Sequence, residues 1–216
     1  NRWERYADAV TCGLGEPDAL AEAVFAGHPA VVHAAINRRD FFLLRRFFGE
    51  RAAWIPNGLD PPAGSAPGQT ATAGARSWLE SMHGVPATAP LWVLPARALR
   101  RKNLLEAILL RRAARKDAWV VVTGEASGGV ERGYVEKLRE FSKNPANRFC
   151  VEVLAQAASG APSVTGLQLA ADALILCSLQ EGFGLAYLEA AALQRPLLCR
   201  KLPNIFPDLQ DAGLSF

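Results

Sequence analysis

The sequence offers little that would commit it to metal, disulfide, membrane or nucleic-acid chemistry. Its 216 residues include three histidines, four cysteines and one methionine. His28, His33 and His83 stand in no metal-ligand or catalytic-triad spacing, so packing is the default for each. Cys12, Cys150, Cys177 and Cys199 are scattered without paired spacing, which favours reduced, packed thiols over disulfides. No Asp-x-Asp occurs, so there is no ready cradle for a divalent ion bridging a diphosphate. No apolar run approaches the ~20 residues of a membrane helix and no signal peptide is recognisable, leaving the cytoplasm as the expected location. The net charge is only +3, and the densest basic cluster has no interleaved aromatic residues to stack on bases; nucleic acid is not expected as a partner.

What the chain does have is a regular alternation of apolar runs and helical stretches. After a proline- and glycine-rich segment at 60–68, strands are expected at 91–95, 118–123, 149–154, 173–177 and 196–199. Helices are expected between them at about 73–83, 103–116, 131–143, 164–171 and 184–194. Runs such as Trp119-Val120-Val121-Val122 show no polar alternation, as strands of a parallel sheet buried on both faces do. The class is α/β, a Rossmann-like parallel sheet with helices on both faces. Before the linker, strands at Ala30–His33 and Ala53–Ile55 flank a helix from Arg38 to Phe48, which suits the last βαβ unit of another Rossmann-like domain. The expected organisation is 1–60 for the first domain, 61–72 for the linker and 73–216 for the second.

The most informative segment runs from Ser178 to Ala190, where Glu181 and Glu189 are separated by seven residues that include Gly182-Phe183-Gly184-Leu185. It follows an apolar strand, so the two glycines fall where backbone comes close to whatever is bound beyond the strand's carboxyl end. The N–H groups opening the next helix favour phosphate there. Glu181 in the loop and Glu189 in the helix's second turn suit two carboxylates gripping hydroxyls on two parts of one molecule. The plain alternative is a solvated loop residue and a helix residue favoured by the macrodipole. Arg97, Arg100, Arg101 and Lys102 form a dense cluster after another strand; Arg97 offers a planar fork and Lys102 a point charge for phosphate oxygens.

These residues resemble the Glu-x7-Glu signature of the family 4 retaining glycosyltransferases. Two further stretches agree: Leu91 to Asn103 is similar to that family's strand, arginine and Lys-Asn, and Ile55-Pro56-Asn57-Gly58-Leu59-Asp60 is similar to its interdomain crossing. Pro95-Ala96 stands where the family has Gly-Gly, and Gln194-Arg195 where a glycine precedes the proline.

The resemblance implies two Rossmann-like domains (the B-type fold) and transfer of a sugar from a nucleotide-diphosphate donor with retention, without a metal or other cofactor. It implies Arg97 and Lys102 on the diphosphate, Glu181 on the donor sugar, backbone contacts from Gly182, Phe183, Gly184 and Leu185, and Glu189 on the ribose. Thr123 and Gly124 would line the nucleotide. The acceptor stays open: a sugar, a glycerate-like small molecule or a lipid-linked group. Most strands of the first domain would precede Asn1, and the closing elements of the second would follow Phe216. A sugar-nucleotide epimerase and a non-catalytic nucleotide-sugar-binding relative are the alternatives. Arg111, Arg112, Arg115 and Lys116 are expected to complement a helix C-terminus, with peripheral membrane contact as the other reading.

Overall fold

A computed structural model describes residues 28–59, 69–114, 117–126, 129–155 and 160–214. The chain divides into two compact units, Asn1–Asn57 and Gly58–Phe216. In the first, β1 (His33–Ala35) and β2 (Ala52–Trp54) pair in parallel around α1 (Arg38–Phe48). Asn37 caps α1, its side chain accepting from the Asp40 N–H at 2.9 Å, and Leu44 buries its apolar face against Ala35. The strand expected at 30–33 starts only at His33, because Val31 N donates to the His28 carbonyl and turns the chain. The linker expected at 61–72 falls largely in 60–68, outside the described residues.

The second unit begins with α2 (Gln69–His83), which takes in the last residues assigned to the linker. Its parallel sheet has the order β5-β4-β3-β6-β7, with β3 at Leu91–Arg97, β4 at Trp119–Gly124, β5 at Phe149–Cys150, β6 at Ala173–Leu176 and β7 at Leu197–Cys199. Alternate residues feed opposite faces, as a period of two requires. Trp92, Leu94, Val120 and Ile175 pack with Leu104 and Ile108 of α3 (Leu104–Ala114) and Val135 and Leu138 of α4 (Arg132–Ser142). Leu91, Val93, Val121 and Leu174 pack with Leu79 of α2, Leu167 of α5 (Val164–Ala170) and Ala190 of α6 (Leu185–Ala192). A further helix, α7 (Phe206–Asp211), was not anticipated from the sequence; it packs Phe206 and Leu209 against Tyr187.

β5 ends four residues early. Glu152 takes φ 58, a left-handed conformation that no extended strand tolerates. At the end of α6 it is Gln194, not a glycine, that takes the left-handed turn, with φ 52. From β3 the chain steps through β4 to β5 on one side, then returns to place β6 and β7 on the other. The direction of winding therefore reverses between β3 and β6, and at such a switch the carboxyl ends of the strands open a crevice for ligands.

Candidate active site

The two motif segments emerge on the two sides of this switch. Pro95 has no N–H to give the central ladder, and the β3–β4 register breaks between Leu94 and Arg97, a bulge forced by the proline. The strand end is pressed onto β4: a Cβ added at Gly124 would lie 3.1 Å from Arg97 Cα and 3.2 Å from the Ala96 carbonyl oxygen. Gly124 thus keeps a close backbone approach within the sheet that a Cβ would crowd. Arg97 is left exposed at the strand's end. A 3-10 turn over Arg100–Lys102 follows, closed by Asn103 in the left-handed region, where a short polar side chain is tolerated.

Beyond β6 the second segment is stitched to this turn. Leu179 N donates to the Arg101 carbonyl at 2.8 Å, and an Arg101 guanidinium N–H donates to the Gln180 carbonyl at 3.2 Å. Lys102 Nζ meets Glu181 Oε1 at 2.5 Å, and Arg101 stands 3.6 Å from Glu181 Oε2. Both members of the closer pair are only about 15% exposed, Lys102 at 15% and Glu181 at 16%, so water screens them less than it would a surface pair. Asn204 completes the hold by donating to the Glu181 carbonyl at 2.7 Å.

Gly184 turns the chain into α6 at φ 91, and a Cβ there would lie 2.8 Å from Ile205 Cδ1. No side-chain hydrogen bond caps α6 at Gly184; the Tyr187 N–H is taken by the Gly184 carbonyl at 2.9 Å, so it is the N–H groups of Leu185 and Ala186 that open the helix towards an anion. Phe183 is buried beneath the turn and Leu185 is exposed.

Lys102 and Glu181 are therefore brought together, 79 residues apart in sequence. Glu189 engages a different partner: its Oε2 accepts from Gln168 Nε2 at 3.0 Å, and Gln168 is 1% exposed. Thr123 is buried, with its carbonyl taken by Leu154 N. Sequence reasoning missed Asn204, Gln168 and a network in which Glu106 accepts from both Asn103 and Arg200. Gln168 alone left a signal, as a polar residue at a core position of an apolar helix. Arg111 and Arg112 stand in the last turn of α3, as expected of cations at a helix C-terminus, and Arg111 is in addition buried, donating to the Asn147 carbonyl at 2.9 Å; residues 115–116 lie outside the described residues.

Burial pushes the Cys177 thiol up to about 12, so it supplies no thiolate nucleophile near neutrality. Among the described residues no cluster of three or more His, Cys, Asp or Glu is placed to hold a metal ion, and no helix is long and apolar enough to cross a membrane. A cavity of about 820 Å³ lies between α6, β7 and α7; Tyr187 of the motif segment lines it, but Arg97, Lys102, Glu181 and Glu189 do not.

The arrangement can be compared with known proteins. WaaG, a glycosyltransferase involved in lipopolysaccharide biosynthesis, aligns with a TM-score of 0.61 over 91% of this chain and 51% of its own, at 18% identity. HepE from Anabaena, in complex with UDP-glucose, aligns with a TM-score of 0.61 over 85% of this chain and 47% of its own, at 19% identity. This chain has the fold of the GT-B glycosyltransferases. It spans about half the length of those GT-B structures. In sequence it is 32% identical over 111 residues to mannosylglucosyl-3-phosphoglycerate synthase of Petrotoga mobilis, a match covering 51% of this chain and 21% of the synthase. No protein-family model matches the chain.

Proposed function

We propose that the second unit is the donor side of a retaining, family 4-type glycosyltransferase that takes a sugar from a nucleotide-diphosphate donor. The observation that carries the reading is the Lys102–Glu181 pair, which joins the two loops at the crevice where β3 and β6 diverge. A cation for the diphosphate and a carboxylate for the sugar stand within one bond of each other, as a molecule linking both groups requires. HepE, with the same fold, is seen with UDP-glucose, which supports a donor of that class.

In this reading the bond between the anomeric carbon and the diphosphate oxygen breaks as a bond to the acceptor's hydroxyl oxygen forms on the same face. The hydroxyl proton leaves with the diphosphate. Negative charge builds on that leaving group, so preorganised positive groups lower the barrier most there. Arg97, Lys102 and the opening N–H groups of α6 supply them. Glu181 orients the sugar through its hydroxyls, Gly182 to Leu185 offer backbone contacts, Glu189 binds the ribose, and Thr123 and Gly124 line the nucleotide. Residues 1–60 would belong to the acceptor-side domain.

Because cations and N–H groups neutralise the diphosphate, turnover of UDP-, GDP- or ADP-hexose by the whole protein should persist in excess EDTA. Product analysis after incubation with candidate acceptors measures this, and the anomeric configuration of the product reports retention. Activity lost in EDTA and restored by magnesium or manganese would show that a metal does this work instead. Free nucleotide released without any acceptor would point to an epimerase.

A further inference from the structure

Glu152 combines three properties that its place after β5 does not demand together. It holds φ 58, a conformation that persists in a residue with a Cβ only where the surroundings over-determine it. It is 6% exposed, where a carboxylate is costly unless its charge and lone pairs are met. And both oxygens are engaged: Oε1 accepts from the Ala126 N–H at 2.7 Å, and Oε2 from Arg139 Nε at 2.7 Å. Glycine would suit the backbone and an apolar residue the burial. Neither would hold Ala126.

Ala126 lies two residues beyond Gly124, and Gly124 is the residue on which the end of β3 rests. Its register partner is Arg97, and its carbonyl accepts from Ala98 N at 3.0 Å. Just before that contact β4 is already fastened, with Val153 N on the Val122 carbonyl and Leu154 N on the Thr123 carbonyl. The loop leaving Gly124 is the part that Glu152 adds to this frame. We infer that Glu152 is a positioning residue of the donor site: it locks the loop at 124–126 against the bulged end of β3 and thereby sets where Arg97 stands. The inference rests on the donor-site reading proposed above.

The test compares three variants by calorimetric titration with UDP, GDP and ADP and by thermal melting. Glu152→Gln keeps an oxygen that can accept from Ala126. Glu152→Met fills the same volume without an acceptor, and Glu152→Gly removes the acceptor while relieving the backbone. The nucleotide that the unaltered protein binds best should bind at least tenfold more weakly to the Met and Gly variants, and within threefold to the Gln variant. Gly should melt above Met although the two bind alike. Should one of these two fail to fold, the other carries the comparison with Gln. Affinities that follow melting temperature, or that are equal in all variants, overturn the inference while leaving the donor site standing. An unaltered protein that binds none of the three nucleotides overturns the donor-site reading itself, and this inference with it.

Discussion

Glu181→Ala is expected to lower kcat by about two to three orders of magnitude, the usual cost of removing one group aimed at the reacting centre, while nucleoside diphosphate binds as tightly as before or tighter. The second half follows from the geometry of the Lys102–Glu181 pair. Glu181 holds Lys102 at 2.5 Å, so it competes with a phosphate for the same cation, and removing it releases Lys102 to the ligand. Glu189→Ala should behave differently. Its carboxylate is tied to Gln168, away from the Lys102 pair, and if it grips the ribose its loss weakens donor and free nucleoside diphosphate about equally with less change in kcat. Steady-state kinetics and calorimetry on both variants, with folding checked by circular dichroism, decide the matter. Identical profiles, or no effect from either, would remove the basis for reading the two glutamates as two contacts on one donor.

Lys102→Ala should weaken nucleoside diphosphate by roughly ten- to a hundredfold, since a charge-assisted hydrogen bond contributes ~1.5–3 kcal/mol. The mononucleoside should be almost unaffected. Arg97→Ala should act in the same direction. Lys102→Ala also leaves Glu181 with Arg101 alone at 3.6 Å, so part of the effect is repulsion between that carboxylate and the incoming phosphate. The double variant Lys102→Ala/Glu181→Ala separates the two contributions: it should recover some of the affinity lost in Lys102→Ala. Unchanged diphosphate affinity in both Lys102→Ala and Arg97→Ala would place the phosphate site elsewhere.

The order of strands and helices in the second unit was legible because β3, β4 and β6 are buried on both faces and so read as unbroken apolar runs. Errors arose where a single backbone angle overrides the pattern. The run from Phe149 to Leu154 is apolar enough for a strand, yet Glu152 at φ 58 turns it after Cys150. α7 has six residues with a proline near its start, too few turns to show a period. In the site, the motif residues themselves could be read, but not what holds them. Asn204 reaches Glu181 across 23 residues, Gln168 reaches Glu189 across 21, and Arg200 reaches Glu106 across 94. No local spacing encodes such partners; they exist only once the segments around β6 and β7 have packed and, for Arg200 and Glu106, once these lie beside β3.

The order of the sheet also bears on when the crevice comes into being. β3, β4 and β5 follow one another along the chain, but β3 meets β6 only across a separation of 81 residues, the distance from Leu91 to Asp172, whose carboxylate takes the Leu91 N–H at 2.7 Å. Loop closure of that length must be met before the β3–β6 ladder gives anything back. We expect β3 and β4 to pair first during folding and the crevice to form late, with β6 as its closing wall. Pulsed hydrogen exchange during refolding would then find amides of β4 protected ahead of those of β6. Protection of both at one rate would mean that the sheet condenses as a unit, with its binding edge present from the outset.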